Sequence, residues 1–179
     1  MRRFSILCII ALSFPLMCHG AGYVCANYAV GGKIDEPSLG IELGGIFLSS
    51  LHPTGGALSV GLGVSIADTD EDPPSAEEPP VTEPVYSALR DYNDGNEQEV
   101  TLTFGAEMIP ALFAVVGVGY ASQDVTTIGT AGDQRYEVDS ETDTNISFMV
   151  GLRYVIHGLN AGIGYHTRRG VMASLGIAF

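Results

Sequence analysis

The last ten residues of the chain, Gly170 to Phe179, read Gly-Val-Met-Ala-Ser-Leu-Gly-Ile-Ala-Phe. Side chains of a β-strand point alternately to its two faces. One face of this segment therefore carries Val171, Ala173, Leu175, Ile177 and Phe179, and the other carries mostly small residues. The segment predicts a strand with one large apolar face, one small face and an aromatic residue at the carboxyl end.

The same alternation recurs along the chain upstream of this strand. A period of two is the sequence pattern typical of strands with two different faces. Only His157 and Gly158 separate the two alternating segments nearest the C-terminal strand, which favours a tight hairpin there. Seven further strands are predicted: 22–32, 39–47, 58–66, 100–108, 112–120, 146–156 and 159–166.

The connections between the predicted strands alternate in length. The turns around His52, Ile109 and His157 are short, whereas residues 68–98 and 121–144 are long loops. Short turns on one side and long loops on the other are typical of an up-and-down barrel in a bacterial outer membrane. The pattern predicts an all-β fold, an eight-stranded antiparallel transmembrane β-barrel that occupies residues 21–179 as a single domain.

The distribution of charge distinguishes a membrane barrel from a soluble one. A soluble barrel covers its outside with lysine and carboxylate side chains. Here the less apolar face is mostly Gly, Ser, Thr and Ala, and we expect its ionisable residues to be Glu42, Glu107, Arg153 and His166. That face suits a lumen, and the apolar face suits lipid. We expect aromatic girdles formed by Tyr28, Tyr120, Tyr165 and Phe148 at the outer rim, and by Phe47, Tyr154 and Phe179 at the inner rim.

Over essentially its whole length after residue 20, the chain resembles the small eight-stranded outer-membrane barrels. This group includes the OmpA transmembrane domain, OmpX, OmpW and the opacity-type surface proteins. The resemblance implies a monomer in the bacterial outer membrane, in contact with outer-membrane lipid. It also implies that the barrel-assembly machinery reads Phe179, Ile177 and Leu175 as an assembly signal.

The N-terminal residues 1–20 have the composition of a secretory signal peptide. Two arginines precede an apolar run from residue 4 to residue 17, and small residues follow up to Gly20. The run is too short for a transmembrane helix and contains Pro15. Removal of this segment leaves Cys25 as the single cysteine, so we expect no intramolecular disulfide.

The chain is strongly acidic, with a formal net charge of -13, and most of its acidic residues lie in the two long loops. Arg90 and Arg135 are the only basic residues of these loops. An acidic surface of this kind makes nucleic acid a poor partner. The proline-rich front half of the first loop predicts an extended, disordered stretch. Residues 85–91 form its one apolar patch, which suits a short helix or a contact point.

These loops suggest surface interaction or adhesion, with a cationic host-surface ligand or divalent cations as partners. Asp68, Asp70 and Asp72 begin like a calcium loop, but the prolines that follow exclude that motif, and we predict no metal or cofactor site. We predict no enzyme either, because no Ser, His and carboxylate set falls on one face at one depth. The alternative function is a narrow, OmpW-like conduit for small or apolar solutes.

The lumen residues predict a barrel that is closed toward the periplasm. Small side chains in the outer half leave space for a vestibule, and Glu42 and His166 are its polar members. In the inner half, Ile46, Leu48, Phe113, Val115 and Val155 point inward unless a bulge at Gly44–Gly45 reverses the first two. Glu107 and Arg153 lie at similar depth, and we expect them to form an ion pair, since either charge alone would be costly.

Overall fold

The computed structural model of the chain describes residues 20–48, 56–80 and 86–179. The predicted signal peptide lies outside these residues except for Gly20, and so does the predicted turn at His52. No helix in the described ranges is long and apolar enough to cross a membrane. The described strands are β1 Ala21–Val30, β2 Ser38–Leu48, β3 Ala57–Ala67, β4 Ala88–Asn93, β5 Glu97–Ile109, β6 Leu112–Ala131, β7 Gln134–Ile156, β8 Leu159–His166 and β9 Gly170–Ala178.

Eight of these strands form a closed antiparallel ring, which confirms the predicted fold. The ring order is β1, β2, β3, β5, β6, β7, β8 and β9, and β9 pairs with β1 to close it. At the seam, the backbone N–H of Gly22 donates to the carbonyl of Phe179 at 2.7 Å, and the N–H of Phe179 donates to Gly22 at 2.8 Å. β4 lies outside the ring and pairs with β6.

The short hairpin between β7 and β8 has the backbone geometry that its sequence favours. His157 has φ 50° and Gly158 has φ 83°, so both central residues are left-handed. Two positive φ values are the signature of the type I′ turn, whose twist matches that of the adjoining strands. The predicted tight hairpin is therefore confirmed.

The outer ends of the strands differ from the sequence prediction. The segment predicted as a loop at 121–144 is largely a continuation of β6 and β7, which pair as far as Ala131 and Gln134. β5 begins at Glu97, three residues before the predicted strand. A short helix at 85–91 is wrong, because β4 occupies Ala88–Asn93. The backbone N–H and C=O groups of β4 bond to β6, so this segment satisfies them without forming a helix.

The outside of the ring is an apolar surface, as predicted. Soluble monomers rarely expose apolar patches larger than a few hundred Å². Here exposed apolar side chains continue around the ring, and they include Leu39, Ile41, Val64, Leu102, Phe104, Val116, Val118, Ile146, Phe148, Val150, Leu152, Ile163, Leu175 and Ile177. Tyr28 and Tyr165 are also exposed, near the ends of their strands, and Tyr120 is exposed near the middle of β6. This is the surface of a transmembrane barrel.

Apolar side chains fill the inner half of the lumen. Phe113 and Val115 of β6 pack with Ala57 and Met149 as a buried cluster, and Ile46 and Val155 pack against it. β2 keeps regular pairing with both neighbours through Gly44 and Gly45, so Ile46 retains its predicted inward orientation. Leu48 shares the parity of Ile46 and pairs with buried Ala57, but it lies at the end of β2, where its side chain is exposed.

The ring closure predicts a role for Phe179 that can be divided into two parts. Its backbone closes the seam, and its ring lies over the backbone of Gly22, where an added Cβ would come within 2.9 Å of it. Deleting Phe179 should lower the yield of heat-modifiable, folded barrel in detergent refolding, because the last hydrogen-bonded pair and this contact are lost. Phe179→Tyr keeps both and serves as the control.

The second part concerns assembly in cells, and the same two variants test it. If Phe179 also acts as an assembly signal, its deletion should reduce membrane insertion in cells more than it reduces refolding in detergent. Equal losses in the two assays would assign the residue a purely structural role. Equal yields of the deletion and the Tyr variant would contradict both roles.

Candidate functional site

Two clusters of buried ion pairs lie one above the other in the lumen. The inner cluster consists of Glu42, Arg153, Tyr23 and Thr103, which come from four different strands. Nη2 of Arg153 donates to both carboxylate oxygens of Glu42 at 2.8 Å. Tyr23 and Thr103 donate their hydroxyls to Glu42 Oε1 at 2.6 and 2.8 Å. The inner cluster therefore connects, across the lumen, strands that are far apart in the sequence.

The inner cluster shows how a narrow lumen accommodates charge. Glu42 and Arg153 are 1% and 3% exposed, so bulk water reaches neither. The Arg153 guanidinium lies over the Tyr23 ring at 4.6 Å from its centroid, a cation–π contact. Three donors surround the carboxylate, and this supplies the additional hydrogen bonding that makes a buried ion pair tolerable. The cluster therefore closes the barrel at this depth.

The predicted pair of Glu107 with Arg153 needs correction, since the ion-pair partner of Arg153 is Glu42. Glu107 and Arg153 do lie in one register row, but Phe113 stands between them and is buried. The Glu107 carboxylate accepts backbone N–H groups of Ala57 at 2.9 Å and Ala111 at 2.8 Å. Glu107 thus ties together the inner ends of the strands, while Arg153 reaches across the lumen.

The outer cluster consists of Glu97, Glu99, His166, Arg168 and Arg169. Nε of Arg169 donates to Glu99 Oε2 at 2.5 Å, and its Nη2 donates to Glu97 Oε1 at 3.3 Å. Arg168 also donates to Glu97. Glu99 also accepts the hydroxyl of buried Ser147. Two carboxylates thus face two guanidiniums, and the cluster blocks the outer half of the lumen.

His166 connects the turn between β8 and β9 to the outer cluster. Its Nδ1 lies 3.3 and 3.2 Å from the backbone N–H groups of Arg168 and Arg169 and accepts from them. In the neutral ring the proton is then on Nε2, which donates to Glu99 Oε1 at 3.0 Å. The prediction that His166 is a polar lumen residue fits this placement, and the structure adds its partner.

Four residues of the outer cluster were not predicted as site residues from the sequence. Glu97 and Glu99 share the inward parity of Thr101 and Thr103, so extending the β5 alternation by three residues toward the N-terminus would have found them. Arg168 and Arg169 lie in a turn, where alternation gives no information. As a result, the predicted open outer half is wrong: the space between the two clusters is a chamber of only about 30 Å³.

A wider cavity lies above the outer cluster, at the mouth of the barrel. This mouth cavity has a volume of about 440 Å³, and Arg168 and Glu97 form part of its wall. Its other ionisable residues are Lys33, Asp35, Glu36, Asp68, Asp70, Glu71 and Asp143. In the described ranges, no group of three or more His, Cys, Asp or Glu side chains is arranged to hold a metal ion. The mouth is acidic but has no preformed metal site there.

Beyond the ring, β4 and the outer parts of β6 and β7 form a sheet, called here the outer sheet (residues 88–93, 122–131 and 134–145). Tyr86 contacts Tyr136 edge to face, with ring centroids 6.3 Å apart, and Ile128 is buried. The segment before β4 binds this sheet, since the N–H of Glu77 donates to the Arg135 carbonyl at 2.9 Å. The described part of the first loop is therefore bonded to the outer sheet at Glu77, which forms an isolated bridge with Tyr136.

The outer sheet is acidic and has a free edge. Thr127 donates to Asp91 at 2.8 Å and Thr142 donates to Asp124 at 2.7 Å, so carboxylates lie on both of its faces. β8 pairs with β7 only from Met149 inward. Between residues 139 and 147, no described strand pairs with the β7 edge opposite β6. This edge carries backbone groups that another strand can bind.

The outer cluster brings a serine, a histidine and a carboxylate together, but not in a catalytic arrangement. The Ser147 hydroxyl donates to Glu99 and not to His166, and all three side chains are buried. Nucleophilic catalysis by such a set requires a hydrogen bond from the nucleophile to its base. The hydrogen bonds therefore connect the serine and the histidine through Glu99 and not to each other.

The closed ring and its apolar outside define the class of protein as a small transmembrane β-barrel. No protein-family model and no curated protein matches the chain. It is similar to the N-terminal β-barrel domain of Pseudomonas aeruginosa OprF, with 17% identity, a TM-score of 0.46 and coverage of 89% of this chain and 96% of that one. It is also similar to Ail, the attachment invasion locus protein of Yersinia pestis (13%, 0.40, 89% and 95%), and to Neisserial surface protein A (9%, 0.33, 88% and 92%). The assignment to the class depends on the ring and surface of the chain itself.

The inner cluster predicts strong energetic coupling between Glu42 and Arg153. Glu42→Ala strands a buried guanidinium and should cost about 3–5 kcal/mol of unfolding free energy. Adding Arg153→Ala should recover part of this loss, which urea unfolding in detergent or lipid vesicles measures as a double-mutant cycle.

The matched control cycle uses Glu107→Ala with Arg153→Ala. Because Glu107 binds backbone groups at the inner strand ends, these two losses should add to within about 0.5 kcal/mol. Additive losses for Glu42 and Arg153, or strong coupling for Glu107 and Arg153, would contradict the assigned pairing.

Proposed function

We propose that the chain is a surface protein of the bacterial outer membrane whose outer sheet binds a cationic partner at the cell surface. The proposed location is supported by the ring with its apolar outside and by the signal-like residues 1–20. In hydrocarbon, a sheet must close on itself to satisfy its backbone, and this ring does so. The observation that carries the proposal is the acidic, partly unpaired outer sheet.

The lumen supports a surface role more than a conduit. The apolar inner half, the inner cluster and the outer cluster occupy successive depths of the barrel. An eight-stranded barrel is only just wide enough for its side chains to fill. A solute would have to separate two buried sets of ion pairs, and each separation leaves charges unsolvated.

The charge of the outer sheet supports a cationic partner. Asp91, Asp124, Asp139, Glu141 and Asp143 lie on its strands, and the acidic mouth cavity adjoins it. A surface of one sign attracts partners of the opposite sign and raises their rate of encounter. We favour a basic macromolecule over a specific divalent-cation site, since a preformed metal site is not found in the described ranges.

The free edge of β7 supports binding through strand addition. A peptide in extended conformation can add to an exposed edge, with backbone hydrogen bonds for affinity and side chains for specificity. The edge projects beyond the ring, where the membrane does not cover it. Asp139, Glu141 and Asp143 alternate along this edge with Ser140 and Thr142. An added strand with basic residues would face these carboxylates on one side of the sheet.

A charge-neutral variant tests the proposed surface. Asp139→Asn, Glu141→Gln and Asp143→Asn together remove three charges while leaving the β6–β7 pairing in place. We expect adhesion of intact cells to epithelial layers to fall several-fold at matched surface density. Adhesion of the unchanged protein should also weaken with added salt, because exposed charges are screened beyond about 8 Å at physiological ionic strength.

The control variant moves the same charge change to the rim of the mouth. Asp70→Asn, Glu71→Gln and Asp72→Asn also remove three carboxylates, but none from the β7 edge. Equal loss in both variants would show that only net charge matters. Unchanged adhesion in both variants, combined with measurable solute flux through the purified barrel, would favour the conduit.

A deletion separates the outer sheet from the ring. Ala67 and Glu97 form the outermost pair of β3 and β5, so a short turn can replace residues 69–96 without removing a ring pairing. We expect this variant to remain heat-modifiable, because loop length alters stability only slowly. We also expect it to lose adhesion, because the deletion removes β4. Full adhesion after the deletion would exclude β4 and the first loop from the binding surface.

A further inference from the structure

The small chamber between the two clusters has polar walls. It is enclosed by residues of the lumen face, among them Asn27, Gly63, Thr101, Met149, Arg169 and Met172. Glu42 of the inner cluster and His166 of the outer cluster also line it. The chamber is therefore in contact with both ion-pair clusters, and among the described residues no side-chain hydrogen bond joins one cluster directly to the other.

Two polar atoms on the chamber residues lack a hydrogen-bond partner among the described residues. They are Nη1 of Arg169 and Oδ1 of Asn27, and both atoms are buried. Arg169 as a whole is only 4% exposed. Buried polar groups in native proteins are nearly always satisfied by protein or by ordered water. One of these atoms is a donor and the other an acceptor, so their ligand must both accept and donate.

The charge balance decides between an ion and water. Glu97 and Glu99 offset Arg168 and Arg169 in the outer cluster, and Glu42 offsets Arg153 in the inner one. An ion would gain little net attraction there and would lose its hydration. A volume of about 30 Å³ suits one or two water molecules, which need two to four polar partners each.

We propose that the chamber binds an ordered water cluster that bridges Arg169 Nη1 to Asn27 Oδ1 and joins the outer cluster to Glu42. The lumen then contains a continuous hydrogen-bonded column from the mouth to Tyr23. Through this column the two clusters stabilise each other, although among the described residues no hydrogen bond or ion pair joins a side chain of one to a side chain of the other. The inference concerns the lumen and does not depend on the proposed surface function.

Substitution of Gly63 tests the proposal, because a chamber that holds water and a dry chamber predict changes in stability of opposite sign. A Cβ added there meets nothing nearer than the carbonyl oxygen of Ile41 at 3.6 Å, so alanine fits. In a dry chamber, Gly63→Ala fills space and restricts the unfolded chain, which raises stability. In a chamber that holds water, the methyl displaces a water and leaves Arg169 and Asn27 unsatisfied, which lowers stability.

We expect Gly63→Ala to lower the midpoint of urea unfolding in lipid vesicles, and Gly63→Ser to recover most of the loss. The serine hydroxyl donates and accepts, so it replaces the displaced water. Gly45→Ala is the control for the general effect of alanine in a strand, because nothing lies within 4 Å of its added Cβ. A midpoint for Gly63→Ala equal to or above that of the Gly45 control overturns the proposal.

A second measurement tests for water in the chamber without relying on a change in stability. Hydroxyl radicals generated from bound water by X-ray pulses oxidise adjacent methionines, and Met149 and Met172 line the chamber. We expect both to be oxidised in the unchanged protein and several-fold less in Gly63→Ala. Met108, which is exposed at the inner rim, should be oxidised equally in both proteins. If oxidation of Met149 and Met172 in the unchanged protein does not exceed the background level, the proposal is overturned.

Discussion

The hydrogen-bonded seam between β1 and β9 is the contact on which the rest of the molecule depends. Inside a membrane, an unpaired strand edge exposes backbone N–H and C=O groups that hydrocarbon cannot satisfy. Pairing from Tyr23 with Ala178 to Val30 with Val171 removes both edges at once. Closure then fixes which side of every strand faces lipid and which faces the lumen. It also brings residues that are distant in the chain into one narrow interior.

The narrow interior sets the rule for charge inside the barrel. Too little water enters to solvate isolated ions, so each buried carboxylate has cationic or hydrogen-bonding partners. Glu42 with Arg153, and Glu97 and Glu99 with Arg168 and Arg169, satisfy this rule at two depths. The proposed function accordingly places the interaction with a partner not in the lumen but on the outer sheet. There the opposite rule holds, because carboxylates exposed to water need no partner.

The candidate site was only partly predictable. Alternation placed Glu42, Arg153 and His166 in the lumen because strand parity is a local property. It did not identify the partner of Arg153, because Glu107 and Glu42 lie on the same inner face and the choice depends on side-chain reach across the barrel. Arg168 and Arg169 were not predicted, because they lie in a turn, where side chains do not alternate between two faces. Glu97 and Glu99 continue the inward parity of β5, so their lumen position does follow from the local pattern.

The sequence by itself determined the strands, their faces and the membrane class, since each follows from a period of two and from which face is apolar. It also determined the hairpin at His157 and Gly158, whose conformation is local. Only the tertiary structure decided that the acidic segments form strands. β4 and the outer parts of β6 and β7 have weak patterns of their own and become strands because they pair with one another. Pairing energy of that kind depends on neighbours distant in sequence, which no local pattern records.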